Sequence, residues 1–262
     1  MTPDFSVHSD DVPLAVSVDG EGLPVVMVHG SIADHTTFDG LVGAATPPLE
    51  VFRMDRRGFG ASGDAPEYTI EREYEDVAAV VDAVAHRTGF PVALFGHSYG
   101  ANCALGGAVV SKNVSHLVLY EPSFGLRYPE GCIESIEAAL ERNDRDGAIV
   151  AVLSTILEVP PAQIDMFRRS PVWSDRLRDA HTVPRECRTE QERSFEATSW
   201  PVECRTLVMT GSETTDDMAA IARSAVAAIE GAQLCVLDGY DHMAPRAAPD
   251  VVAAQLIAFL RS

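Results

Sequence analysis

A single lysine, Lys112, stands in this chain of 262 residues. Arginine supplies the rest of the 20 basic side chains, against 39 acidic ones, and the net charge is −19. So acidic a surface repels phosphate backbones and anionic lipid, which excludes nucleic acid and membrane as expected partners. Long apolar runs are lacking too, since none approaches the roughly 20 residues that cross a bilayer. The opening residues, Met1-Thr2-Pro3-Asp4-Phe5, carry no basic segment followed by an apolar run, so no secretory signal is expected. Cysteine is sparse: five residues, at 103, 132, 187, 204 and 235, with no C-x-x-C spacing for metal or redox work. These absences point to a cytoplasmic protein with reduced thiols and neither metal nor cofactor. Internal repeats and low-complexity linkers are missing as well, and the length fits one large α/β domain carrying an insertion.

What is present centres on Gly96-His97-Ser98-Tyr99-Gly100, preceded by the apolar run Val92-Ala93-Leu94-Phe95. In the pattern Gly-x-Ser-x-Gly the serine occupies a sharp turn from strand to helix, where a Cβ on either flanking residue would strike backbone. The turn lifts the Ser98 hydroxyl out at the top of a sheet. It also sets Ser98 at a helix N-terminus, where free N–H groups favour a developing oxyanion. The small-residue stretch from Ala101 to Ala108 supplies that helix.

Before the elbow, Phe5 to His8 and Leu14 to Val18 read as antiparallel strands, closed by Asp19-Gly20-Glu21-Gly22. Pro24 to Gly30 and Leu49 to Asp55 are apolar enough for strands buried on both faces of a parallel sheet. The glycine-rich loop Arg56 to Gly63 lacks a Walker lysine and is no phosphate cradle. Valines 77, 80, 81 and 84 fall at helical spacing between Glu71 and His86. After the elbow, Val114 to Pro122 is another buried strand, ending at Glu121. From there to Arg205 the patterns are helical, as in Ile133 to Leu140 and Ala148 to Leu157, broken by prolines 160, 161, 171, 184 and 201. The sheet resumes with Arg205 to Gly211, a helix from Asp216 to Ile229, a strand from Gln233 to Asp238, and a final helix from Pro249 to Leu260. This order predicts a mostly parallel, doubly wound sheet whose core spans 1–121 and 205–262, with a helical cap over 122–204.

With His29-Gly30, Asp55-Arg56-Arg57-Gly58-Phe59-Gly60-x-Ser62, the elbow and Asp241-His242 in this order, the chain is similar to the α/β-hydrolase fold family over nearly its whole length. The resemblance implies a triad in the order Ser, acid, His, with an oxyanion hole partly in the loop after His29-Gly30. Ser98 then needs a base to take its proton, and His242 is the candidate. Many relatives carry the acid at the slot that Thr214 occupies here, and a threonine cannot stabilise an imidazolium. Others carry it at the end of the strand before the cap, where this chain has Glu121. Glu121 is therefore favoured; a carboxylate closing an apolar strand is costly to bury unless paired, and His242 could pair it. Asp216 and Asp217 are the alternative acids, each also readable as a first-turn acid on a helix, and Glu213 reads equally as solvated loop.

The backbone N–H groups of Ser31 and Tyr99 are the oxyanion-hole candidates, with the Ser31 hydroxyl either a further donor or merely a small group in a tight loop. His97 is expected to pack beneath the elbow and His29 to brace the oxyanion loop. Arg56 and Arg57 resemble substrate clamps, although the resemblance assigns Asp55 to Ser62 a structural role. Phe124, Met166, Phe167, Trp173, Phe195 and Trp200 could line an apolar pocket or simply form the core of the cap; Arg127, Arg168 and Arg169 could meet an anion or simply be solvated. The expected activity is hydrolysis, through an acyl-enzyme, of an ester, thioester or lactone of a small to medium apolar molecule. Two readings stand beside it: the same site put to carbon–carbon hydrolysis, perhydrolysis or a biosynthetic cyclisation or lyase step, and a non-catalytic small-molecule receptor. The expected partner is a small-molecule substrate, with a homodimer left open.

Overall fold

Apolar runs without polar alternation have to be covered on both faces, and that requirement sets the architecture. The computed structural model describes residues 3–157 and 159–262. Met1 and Thr2, which open the stretch searched for a signal, lie outside the described residues. The strands are β1 (Phe5–Ser9), β2 (Val12–Gly20), β3 (Leu23–Val28), β4 (Leu49–Met54), β5 (Val92–His97), β6 (Val114–Tyr120), β7 (Arg205–Gly211) and β8 (Gln233–Leu237). They form one sheet in the order β1-β2-β4-β3-β5-β6-β7-β8. Only β2 runs against its neighbours; every pairing from β4 onward is parallel.

The helices are α1 (Asp39–Ala45), α2 (Ile70–Thr88), α3 (Tyr99–Val110), α4 (Cys132–Glu141), α5 (Arg145–Ala151), α6 (Pro161–Arg168), α7 (Trp173–Asp179), α8 (Val183–Glu192), α9 (Asp216–Ala228), α10 (Ala244–Ala247) and α11 (Pro249–Leu260). Alternation along each strand divides the core. Val26 and Val28 of β3 face α2, α3 and α9, while Val25 and Met27 face α1 and α11. Helices α4 to α8 bury a separate cluster that includes Ile133, Ile136, Ile149, Trp173 and Val183.

Several helices were not distinct in the sequence. α1 is seven residues with two glycines, too poor a helix former to stand on propensity, and it is held by packing on α11. Pro161 and Pro184, which read as interruptions, sit in the first turns of α6 and α8, where a missing N–H costs nothing. The helix read over Ala148 to Leu157 divides into α5 and a π turn over Val152–Ile156.

One face of α8 is fixed to the sheet layer by charge. Arg56 is fully buried and bonds both Glu73 of α2, at 3.1 Å, and Glu186 of α8. Its guanidinium also lies 4.6 Å from the Phe59 ring centre and 4.9 Å from that of Tyr99. Arg57 makes a fork to Asp76 of α2 at 2.5 and 2.6 Å. Both arginines are therefore structural ties rather than substrate clamps. One turn beyond Glu186, Glu190 is buried against the Tyr128 hydroxyl and Ser123. Burial pushes its carboxyl up to about 8, the hydroxyl contacts only partly offsetting it.

A group with a raised folded pKa holds its proton after the unfolded chain has released it, so stability falls as pH rises from about 4.5 towards 8. Glu190→Gln should remove that slope, on the order of a few kcal/mol across the window. Urea unfolding at a series of pH values checks this; equal slopes for wild type and variant would refute it.

Candidate active site

β5 is buried along its length and ends at His97; Ser98 follows with φ 56° and ψ −127°, and α3 begins at Tyr99. A positive φ at a non-glycine residue costs on the order of 1–3 kcal/mol and persists only where its surroundings enforce it. Here the enforcement is close backbone approach. A Cβ on Gly100 would lie 2.3 Å from the carbonyl oxygens of Val28 and His29, and one on Gly96 would lie 2.5 Å from the Gly100 carbonyl oxygen. The Ser98 N–H donates to the Tyr120 carbonyl at 2.9 Å, which ties the elbow to the end of β6. Tyr99 stands in the first turn of α3, where amides lack helical acceptors, and Ser98 itself stays partly exposed.

At the end of β6, Glu121 also has a positive φ, 45°, and is completely buried. Its Oε1 accepts from the Thr210 hydroxyl at 2.9 Å and the Gly211 N–H at 2.9 Å. Its Oε2 accepts from the Thr214 hydroxyl at 3.0 Å and from His242 Nδ1 at 2.7 Å. Burial alone would push this carboxyl up. The bond and charge of His242, with the Gly211 and Thr210 donors, outweigh it and hold the group below the usual carboxylate range.

The loop bearing His242 is fastened at three points. The Tyr120 hydroxyl donates to the Asp241 carbonyl at 2.7 Å, the Glu213 N–H to the Tyr240 carbonyl at 2.8 Å, and His97 Nε2 to the His242 carbonyl at 3.0 Å. Burial, with His242 beside it, lowers His97 to about 3, so His97 is neutral and its one proton lies on Nε2. With Nδ1 of His242 on Glu121, the imidazole's remaining nitrogen is free to exchange a proton with another group.

On the other side of Ser98, a Cβ on Gly30 would lie 3.0 Å from Ser98 Cβ, so the loop after β3 runs directly beside the serine. His29 braces that loop. Its Nδ1 donates to the Gly30 carbonyl at 2.8 Å and its Nε2 accepts the Arg56 N–H at 3.1 Å; burial lowers the ring to about 3. Ser31 follows, partly exposed, and Ile32 has φ 44°.

The other candidates lie elsewhere. Asp216 and Asp217 are exposed acids in the first turn of α9, beside a Thr215 cap, and Glu213 is exposed. Phe124 stacks on Trp200, Phe195 packs tilted against both, Tyr74 meets Trp200 edge-on, and Trp173 is buried among α4 to α8. Met166 and Phe167 face outward. A groove of about 260 Å³ runs between Phe124, Phe195, Arg127 and the Asp217 to Ser224 face of α9, and neither Ser98 nor His242 lines it. Arg168 pairs with Asp146. Among the described residues no three His, Cys, Asp or Glu side chains converge as metal ligands, and no helix is long and apolar enough to cross a membrane. Sequence reasoning missed the Thr210 and Thr214 donors and the Arg56 to Glu186 tie; Thr214 alone left a signal, by standing where an acid is often found.

Residues 25–255 match the family model described as the alpha/beta hydrolase family. The chain belongs to that family. Among solved structures it resembles an alpha/beta hydrolase from Sphaerobacter thermophilus at 29% identity and TM-score 0.84, covering 97% of this chain and 99% of that one. A hydrolase from Pseudomonas aeruginosa matches at 25% identity and TM-score 0.79, covering 99% and 98%. The fold alone is shared with an enol-lactonase from Burkholderia xenovorans, at 20% identity and TM-score 0.75 over 98% and 100%. A comparison with the curated proteins finds no match.

Within this hydrolase fold, the Glu121 carboxylate depends on its donors. Thr214→Val should leave one buried lone pair unmet and cost about 1–3 kcal/mol of unfolding free energy. Asp216→Asn with Asp217→Asn, by contrast, should change stability by no more than about 0.5 kcal/mol. Denaturant titration of the two variants checks both figures.

Proposed function

We propose that this chain is a serine hydrolase that cleaves a carboxylic ester, thioester or lactone of a small to medium molecule through an acyl-enzyme. The observation that carries the reading is the fully buried Glu121 carboxylate, 2.7 Å from Nδ1 of His242. A buried carboxylate on Nδ1 fixes the ring and its tautomer and stabilises the imidazolium that forms when the base takes a proton. Ser98 is the nucleophile, His242 the base, Glu121 the acid, and helices α4 to α8 the cap over the site.

Nε2 of His242 takes the hydroxyl proton as Ser98 Oγ attacks the substrate carbonyl, and the oxyanion that develops is met by the Tyr99 and Ser31 N–H groups. The tetrahedral intermediate collapses, the carbon–oxygen or carbon–sulfur bond breaks, and His242 returns the proton to the leaving alcohol or thiol. Water then repeats the sequence on the acyl-enzyme and releases the acid. Ester and lactone cleavage among proteins of the same fold, an enol-lactonase from Burkholderia xenovorans and an esterase from Thermogutta terrifontis, supports this class of bond. The stacked aromatics Phe124, Phe195 and Trp200 are packed in the core, so the apolar character of the substrate does not rest on them.

A fluorophosphonate should label Ser98 in the wild type and label nothing in Ser98→Ala. Glu121→Gln should slow labelling by about 10²–10⁴-fold, as loss of the tautomer-fixing acid does in serine triads. Asp216→Asn with Asp217→Asn should label at the wild-type rate. Stopped-time labelling with peptide mapping reads all three, and a folded wild type that resists the probe would overturn the reading.

A further inference from the structure

Three buried charges meet at Arg56, and as a stabilising device they are poor. The guanidinium lies between Glu73 and Glu186, all three side chains being 1% exposed or less. Yet among the described residues Arg56 Nε and Glu186 Oε2 have no partner. A buried ionic cluster with unmet polar atoms gains little over apolar side chains of the same volume. What the guanidinium touches besides its two acids gives it another use.

Its Nη2 donates to the Gly30 carbonyl at 3.4 Å, the same oxygen that His29 Nδ1 reaches at 2.8 Å. The Arg56 N–H, by bonding His29 Nε2, keeps the imidazole proton on Nδ1. In a trans peptide unit the carbonyl oxygen and the following N–H point in opposite directions. Holding the Gly30 oxygen from two donors therefore fixes the direction of the Ser31 N–H. The same guanidinium lies over the Tyr99 ring, 4.9 Å from its centre. At the tip of that ring the Tyr99 hydroxyl sits 2.5 Å from the Tyr68 hydroxyl, and since Tyr68 donates to Glu73 Oε1 at 2.8 Å, Tyr99 is the donor between the two. Glu73 thus holds Arg56 directly and Tyr99 through Tyr68. Tyr99 is fully buried, and among the described residues neither its N–H nor that of Ser31 meets an acceptor.

We propose, on the serine-hydrolase reading above, that Arg56 is the positioning residue of the oxyanion hole. One guanidinium sets both donors, the Ser31 N–H through the Gly30 carbonyl and the Tyr99 N–H through the Tyr99 ring. Glu73 holds it from α2 and Glu186 from α8, so the sheet layer and the cap both bear on the hole. A hole with displaced donors still admits a substrate but no longer meets the charge that develops on oxygen, so the loss falls on that one atom.

A pair of probes isolates the atom. A fluorophosphonate and its P=S counterpart both modify Ser98, but sulfur is a weak acceptor and draws little from the two N–H groups. Arg56→Lys keeps a charge between the two acids and loses the planar fork; it should slow the P=O probe by about 10–100-fold and the P=S probe by less than about threefold. Arg56→Met with Glu73→Gln and Glu186→Gln strands no buried charge and should show the same loss of preference, which decides the matter if the lysine variant fails to fold. Arg57→Met with Asp76→Asn removes the neighbouring buried pair and should keep the wild-type ratio of the two rates, whatever it costs in stability. Labelling rates at Ser98 by mass spectrometry, with thermal unfolding of each variant, read the outcome. A folded Arg56→Lys or triple variant that keeps the wild-type ratio, or an Arg57 variant that loses it as far, would overturn the proposal, and a labelled wild type would leave the hydrolase reading standing. A wild type resistant to both probes overturns that reading and the role of Arg56 with it.

Discussion

Everything at the top of this sheet depends on one buried carboxylate. Glu121 has no access to water, so its charge is tolerable only if every lone pair meets a donor. Those donors come from β7, from the loop before α9 and from the loop before α10, segments that lie 89 to 121 residues away along the chain. Satisfying one acid thus fixes the end of β7 and the loops that follow β7 and β8 against the end of β6. The positive φ at Glu121 is the local cost of turning the carboxyl inward, and the bonds it collects there offset that cost.

The same economy holds around the elbow. His29 and His97 are both lowered to about 3 by burial and stay neutral, so each serves as a one-donor brace rather than a charge. Of these three imidazoles only His242 is paired with a carboxylate.

Much of this was readable in the residues. The elbow, the strand ending at Glu121 and the helix from Pro249 to Leu260 follow from apolar runs, glycine spacing and helical periodicity, which act over a few residues. Helices α6 and α8 were blurred because their prolines, read as breaks, are starts. Thr214 read as the absence of an acid, yet its hydroxyl bonds the carboxylate that replaced it. The Arg56 to Glu186 pair joins residues 130 positions apart, and only the packing of α8 on the sheet layer creates it. Local patterns carry local structure; contacts at that separation are products of the assembled layers.

That ion pair has a mechanical consequence. Pulling α8 away from the sheet would leave Arg56 with Glu73 alone and Glu186 without its arginine, and breaking a buried pair of this kind costs about 3–5 kcal/mol. Helix α8 is accordingly pinned to the sheet layer by buried charge as well as by packing.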